Sequence, residues 1–214
     1  MFRDREEAGK LLAEETKKFI KDKKDTVILA IPRGGVPVAY WISKKLNIPF
    51  SMVVAKKITF PHEPEAAIGA ATPDGTYMLA DYVSESSYQV KEAIEKAVKE
   101  AKEKLSKYLG GKEPDIEGKT VIIVDDGIAT GYTAMVAGKY AKNKGAKKVI
   151  LAVPVCPSDS IGKTSEVFDQ VICYHKVDSL FFAVGAYYQD FHQVSDRELS
   201  YYLKKAKEEG LLYI

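Results

Sequence analysis

Residues 120–133 read TVIIVDDGIATGYT. The first five are β-branched and mostly apolar, which predicts a buried strand, and this strand ends in two adjacent carboxylates, Asp125 and Asp126. A loop with two glycines and two threonines follows, and the pattern then predicts a helix over 133–144. The backbone N–H groups of such a loop, together with the helix N-terminus, can surround a phosphate group.

The two acids set this stretch apart from an ordinary strand–turn–helix with a threonine cap, which is the alternative interpretation. Charge at the carboxyl end of a buried strand needs a partner or a ligand. Carboxylates at the rim of a phosphate cradle suit sugar hydroxyls, and the hydroxyls of Thr130 and Thr133 can donate to the phosphate. Neither the Gly-Lys-Ser/Thr of a nucleotide-binding P-loop nor a Gly-x-Gly-x-x-Gly turn is present. The stretch therefore favours a phosphosugar site.

Apolar strands alternate with amphipathic helices along the rest of the chain. Strands are predicted at 26–31, 50–55, 120–124, 149–155 and 171–174, and helices at 5–21, 36–46, 86–109, 133–144 and 196–209. Segment 56–75 is predicted to be a loop or a hairpin. The alternation predicts one α/β domain over 1–214, with a parallel sheet covered on both faces. Ligands bind such sheets beyond the carboxyl ends of the strands, so the loops after Ile31, Ala55 and Val124 are the candidate sites.

Composition narrows the class of function. The net charge is only +2, from 32 basic and 30 acidic residues, which gives no support for a nucleic-acid partner. No apolar run approaches the roughly 20 residues that would span a bilayer, and the charged start does not resemble a signal peptide. We therefore expect no membrane partner, a cytoplasmic location and two free thiols, Cys156 and Cys173.

Residues 121–133 resemble the motif with which type I phosphoribosyltransferases bind 5-phosphoribosyl-1-pyrophosphate (PRPP): four apolar residues, two acids, three variable residues and Thr-Gly-x-Thr. The resemblance implies the type I phosphoribosyltransferase fold, a parallel sheet flanked by helices, with a small C-terminal hood over about 175–214. It also implies that the two acids hold the ribose hydroxyls and that the loop holds the 5′-phosphate. The residues assigned to PRPP in this way are Asp125, Asp126, Gly127, Ile128, Ala129, Thr130, Gly131 and Thr133, with Gly34 from an earlier loop.

That earlier loop, Pro32-Arg33-Gly34-Gly35, follows the first strand, where family members contact pyrophosphate. Arg33 can donate two hydrogen bonds to phosphate oxygens. Lys56 and Lys57, which we predict to end the next strand, stand where the family places a basic residue for pyrophosphate. The resemblance thus implies catalytic roles for Arg33, Lys56 and Lys57. It also implies a lid formed by 56–75, which contains His62. The alternative interpretations are that the loop 32–35 is an ordinary turn and that Lys56 and Lys57 are solvated surface lysines.

The aromatic segment 181–191 resembles the C-terminal hood of hypoxanthine-type enzymes. By that similarity Phe182 stacks on a flat base, and Asp190 approaches pyrophosphate or its Mg²⁺, although the match needs one extra residue before Asp190. The alternative is an aromatic patch under the terminal helix.

One departure concerns the acceptor base. Hypoxanthine and guanine enzymes carry a general-base aspartate where this chain has Ala129, whereas adenine-type enzymes carry Ala-Thr-Gly, as here. We therefore expect Mg²⁺-dependent transfer from PRPP to a nitrogenous, purine-like base, and a homo-oligomer by family resemblance. The alternative is a protein that senses PRPP or a nucleotide without turning it over. A phosphosugar hydrolase would need a nucleophile or base that the sequence does not place.

Overall fold

The structure, a computed structural model, describes all 214 residues. The helices are α1 (Arg5–Lys17), α2 (Gly35–Leu46), α3 (Tyr88–Leu109), α4 (Tyr132–Asn143), α5 (Ser160–Thr164) and α6 (Asp196–Glu208). The strands are β1 (Thr26–Ala30), β2 (Phe50–Met52), β3 (Lys56–Phe60), β4 (Glu63–Ala71), β5 (Tyr77–Leu79), β6 (Thr120–Val124), β7 (Lys148–Pro157) and β8 (Gln170–Val177). None of the helices combines the length and apolar character needed to cross a membrane.

The central sheet is parallel throughout, and its strand order is β2-β1-β6-β7-β8. The predicted architecture, a parallel sheet flanked by helices, is therefore confirmed. Ala30 at the end of β1 is the register partner of Val124 at the end of β6. The loops that follow these two strands consequently leave the same edge of the sheet side by side.

Successive side chains of the central strands point alternately into two core clusters, one on each face of the sheet. Ile28, Ile122 and Ile150 point into one core cluster, under α1, α2 and α6, whereas Val121 and Ile123 point into the other, under α4. Successive side chains of a strand face opposite sides, so a strand buried on both faces must be apolar throughout. Each fully buried aliphatic side chain contributes about 1.5–3 kcal/mol to folding.

A second, antiparallel sheet contains β3, β4 and β5 and packs against α3. The expected hairpin in segment 56–75 is therefore present, as β3 and β4. The expected position of Lys56 and Lys57 at the end of a strand is wrong. The strand before them ends at Met52, and both lysines open β3, where they pair with Ala71 and Ala70.

The chain after β8 returns across the molecule. It passes a 3₁₀ turn at Val184–Tyr187, pairs Tyr188 with Phe2, and places α6 against α2. Leu212 then pairs with Phe50 at the edge of β2. The two cysteines are free thiols.

Candidate active site

The loop between β6 and α4 presents unused hydrogen-bond donors. Gly131 precedes the helix with φ of +83°, in the left-handed region that favours glycine, and no side chain caps the helix. The N–H groups of Gly127, Ala129, Thr130 and Gly131 have no acceptor within the chain. These donors and the dipole of a 12-residue helix form a site for an anion.

The other residues of the loop differ in what they expose. Ala129 and Thr130 are exposed at its tip, and Thr133 is half-buried in the first turn of α4. Ile128 turns the other way, since its side chain lies in the core and its N–H donates to the carbonyl of Val155 over 3.2 Å. Ile128 therefore anchors the loop and has no donor left for a phosphate.

Asp125 and Asp126 lie together, largely covered, at the start of this loop. The carboxylate of Asp125 accepts a hydrogen bond from the N–H of Asp126 at 2.8 Å. Burial, and then the charge of Asp126, raise the pKa of Asp125 well above its ordinary value. Burial also raises the pKa of Asp126, although Arg5 beside it opposes that shift. Hydroxyl groups of a ligand that donate to these two carboxylates would offset the cost of burying their charge.

Arg5 is the first of two residues at this site that sequence reasoning missed. Its Nε lies 3.1 Å from Oδ2 of Asp126, its Nη1 donates to the carbonyl of His192 at 2.7 Å, and its guanidinium stands 4.3 Å from the ring centre of Phe191. Only 7% of the side chain is exposed. One signal could have revealed it, because Arg5 shares the buried stripe of α1 with Ala8 and Leu12 at helical spacing.

The loop after β1 lies against the same carboxylate. A Cβ on Gly34 would stand 2.2 Å from Oδ2 of Asp126, so this close approach requires glycine. The preceding residue, Arg33, has its guanidinium 3.6 Å from Asp196 on α6. A cleft of about 310 Å³ opens between these loops and the C-terminal segment, residues 188–195 before α6. The residues that line it are Arg5, Arg33, Gly34, Asp126, Phe191, Gln193 and Val194.

Tyr188 was also missed. Its hydroxyl donates to the backbone carbonyl of Asp126 over 2.6 Å, and its ring packs between Phe2 and Phe191. Burial raises the pKa of Tyr188 above its ordinary value, so the hydroxyl stays protonated and remains a donor. The C-terminal segment therefore fixes the backbone of Asp126, while Arg5 fixes its side chain.

The hood residues implied by the resemblance, Phe182 and Asp190, are absent from the lining of the cleft. The ring of Phe182 stacks on Tyr187, with centroids 5.4 Å apart and planes 20° apart. Asp190 is exposed, and its carboxylate accepts hydrogen bonds from the N–H and the ring of His192. It does not line the cleft.

The two lysines of β3 differ in their surroundings. Nζ of Lys56 lies 3.6 Å from Glu100 on α3, whereas Lys57 is exposed. His62, at the hairpin turn, stacks on Phe60 with ring centres 5.5 Å apart. It lines a separate cavity of about 350 Å³ between the hairpin and α3. No residue of the acidic loop, 125–131, lines this cavity.

The side chains at the cleft can be tested against the expected Mg²⁺. No group of three or more His, Cys, Asp or Glu side chains in the chain is arranged to hold a metal ion. Mg²⁺ usually binds through one or two carboxylates together with substrate phosphates and water. Asp126 lines the cleft, and Asp190 directly precedes Phe191, another lining residue, so these two carboxylates could serve in that mode.

Comparison with known proteins agrees with this geometry. The family model described as a phosphoribosyl transferase domain matches residues 4–190. Two proteins from strains of Mycobacterium tuberculosis, each named "Putative phosphoribosyl transferase", are 38% identical over 211 residues, covering 96% of this chain and 47% of each relative. The chain thus spans about half the length of the curated relatives it matches.

Solved structures show the same fold. The crystal structure of TT1426 from Thermus thermophilus has a TM-score of 0.79 at 30% identity, covering 95% of this chain and 98% of that one. A hypothetical protein from Neisseria gonorrhoeae with bound ppGpp, at 16% identity and a TM-score of 0.51 over 98% of both chains, shows likeness of fold alone. The match over 4–190 and the loop that joins Asp125 and Asp126 to α4 lead to one conclusion: this chain belongs to the phosphoribosyl transferase domain family.

Proposed function

We propose that this chain transfers the 5-phosphoribosyl group of PRPP to a nitrogenous base, purine-like in shape, with release of pyrophosphate. The observation that carries the proposal is the end of β6. Two largely covered carboxylates are followed directly by a loop with four free N–H donors and an uncapped helix N-terminus. A ligand with a phosphate next to a pair of sugar hydroxyls matches both halves of this arrangement.

In this reaction the bond from the anomeric carbon to a diphosphate oxygen breaks, and a bond to a ring nitrogen of the base forms. Asp125 and Asp126 would accept hydrogen bonds from the ribose hydroxyls and so hold the sugar over the cleft. The loop from Gly127 to Thr133 would bind the 5′-phosphate. The ring nitrogen loses its proton, which passes to solvent.

The departing diphosphate gathers negative charge, so cations aimed at it stabilise the transition state. We infer that Arg33 and Lys56 supply that charge, whereas the exposed Lys57 is the weaker candidate. Mg²⁺ bound with PRPP, with Asp190 as the ligand implied by resemblance, would neutralise further charge on the diphosphate.

The acceptor is inferred from two features. Phe182 is half-buried and stacks on Tyr187, and its opposite ring face would serve as a stacking platform, which accepts any planar base. Ala129 has no proton acceptor in its side chain, so the route that uses a carboxylate there is absent. We therefore infer a preference for adenine or another base over hypoxanthine and guanine.

The test is a panel of bases at saturating PRPP and Mg²⁺, in which both the nucleotide formed and the pyrophosphate released are measured. The proposal expects product with adenine or another base, and little with hypoxanthine or guanine. Efficient conversion of hypoxanthine or guanine would contradict the inference from Ala129. Tight PRPP binding with no product from any base would contradict the transferase and favour a PRPP-sensing regulator.

A further inference from the structure

We propose that Lys104, on α3, binds the diphosphate group of PRPP and of released pyrophosphate, together with Arg33 and Lys56. This inference rests on the proposed function and adds a binding residue to it. In the sequence, Lys104 lies among the Lys and Glu residues of α3, a pattern typical of a solvated helix surface. No motif distinguishes it from the neighbouring lysines.

The first argument is placement along one face of α3. Residues spaced by four along a helix are neighbours on its surface, so Glu100, Lys104 and Tyr108 form one row. At one end, Glu100 lies 3.6 Å from Nζ of Lys56. At the other end, Tyr108 donates to Asp196 over 2.9 Å, and the same carboxylate lies 3.6 Å from Arg33. Lys104 therefore stands between the two cations proposed to contact pyrophosphate.

The second argument is charge. Lys104 is half-buried, yet it makes no ion pair and no hydrogen bond within the chain. Burial lowers the pKa of Lys104, and the nearby charges of Lys56 and Arg33 lower it further, although Glu100 and Asp196 oppose them. Five cations (Arg33, Lys56, Lys96, Lys104 and Lys107) surround only two carboxylates here, those of Glu100 and Asp196. A half-buried ammonium without a partner is costly, and a dianionic or more highly charged ligand would offset that cost.

The third argument is continuity with the cleft. Arg33 lines the cleft next to Gly34 and Asp126, so the cation row begins where the ribose would end. The anion site at the start of α4 follows Asp126 along the chain, and none of residues 127–133 lines the cleft. The two anionic ends of PRPP would then be bound by separate elements, the 5′-phosphate by the loop before α4 and the diphosphate by Arg33, Lys56 and Lys104.

The experiment compares two probes by isothermal titration: inorganic pyrophosphate with Mg²⁺, and ribose 5-phosphate, which lacks the diphosphate. In Lys104→Met, the affinity for pyrophosphate should fall about 10-fold or more, as for a lost hydrogen bond to a charged group. The affinity for ribose 5-phosphate should stay within about two-fold, because that ligand does not reach α3. Lys104→Arg should restore most of the pyrophosphate affinity, because it keeps the charge.

Lys102→Met is the matched control, since Lys102 is exposed on the same helix and should leave both affinities unchanged. Circular dichroism melts verify that each variant is folded. Unchanged pyrophosphate affinity in folded Lys104→Met, or an equal loss for both probes, would overturn this inference alone. Wild-type protein that binds neither probe would overturn both this inference and the proposed function.

Discussion

Nε of Arg5 lies 3.1 Å from Oδ2 of Asp126, a residue 121 positions further along the chain, and the two side chains are only 7% and 14% exposed. Removing two charges from water is costly, and their attraction offsets that cost only when further bonds satisfy both groups. The carbonyl of His192 and the ring of Phe191 supply such contacts to Arg5. The pair thus connects α1, the acidic loop and the C-terminal segment at the point where the ribose is proposed to bind.

The first prediction concerns this pair. Arg5→Met would leave the carboxylate of Asp126 largely covered without its cation, which should lower the free energy of unfolding by about 3–5 kcal/mol. PRPP affinity should also fall, because the carboxylate loses its fixed orientation. Urea unfolding followed by tryptophan fluorescence measures the first effect. Arg3→Met is the control, since Arg3 is 61% exposed and its loss should cost little. Equal free energies of unfolding in the two variants would show that the buried pair of Arg5 and Asp126 does not stabilise the fold.

The second prediction concerns Tyr188. Tyr188→Phe removes the hydroxyl that donates to the carbonyl of Asp126, and a buried acceptor left without a donor costs about 1–3 kcal/mol. Thermal unfolding should shift downward by a corresponding amount, with weaker PRPP binding. Tyr187→Phe serves for comparison, because the hydroxyl of Tyr187 makes no hydrogen bond within the chain and its removal should be nearly neutral. If both variants unfold at the same temperature, the hydrogen bond from Tyr188 to Asp126 contributes nothing measurable to stability.

The third prediction concerns pH. Burial and the neighbouring Asp126 raise the pKa of Asp125 in the folded state above its unfolded value of about 4. The folded state therefore binds this proton more tightly, and ionising Asp125 costs stability as the pH rises from about 4 through the folded pKa. Asp125→Asn removes that cost.

At pH 7 the Asp125→Asn variant should be more stable than the wild type by about 0.5–2 kcal/mol, although it should bind PRPP poorly. The difference should shrink as the pH falls toward 4. Denaturant unfolding at a series of pH values measures it. A variant that is less stable at pH 7, or a difference that does not change with pH, would show that the Asp125 charge is not destabilising.

The fourth prediction concerns Arg33. Arg33→Ala should slow pyrophosphate release by about 10²-fold or more, because a cation facing the leaving group is lost. Binding of a nucleoside 5′-monophosphate, which has no diphosphate, should change far less. The exposed Arg197 of α6 provides the control substitution to Ala. An equal loss for both ligands in Arg33→Ala would place this guanidinium away from the diphosphate.

Local patterns of sequence account for the parts that were predicted correctly. The strand, the acids and the helix of 120–143 form one continuous segment, so apolar periodicity and glycines suffice to identify it. The position of Lys56 was mistaken because a β-branched, apolar run does not show where one strand ends and a hairpin begins. That boundary is set by the partner residues Ala70 and Ala71.

The remaining site residues depend on tertiary contacts. Arg5 lies far from Asp126 in sequence, and only the fold brings α1 against the acidic loop. Tyr188 is one of several aromatic residues in its segment, and nothing local distinguishes the one whose hydroxyl contacts Asp126. Lys104 looks like its exposed neighbours until Arg33 and Lys56 are placed on either side of it.

The central claim, that PRPP binds where β6 meets α4, is tested most directly by titrating PRPP with Mg²⁺ into wild-type protein and into Asp125→Asn/Asp126→Asn. The double variant leaves Arg5 without its carboxylate, so circular dichroism must first show that it is folded, and Asp125→Asn alone provides a second, stable variant. We predict saturable binding to the wild type, a large loss of affinity in Asp125→Asn and no measurable binding to the folded double variant. Unchanged PRPP affinity in the folded double variant would contradict the account.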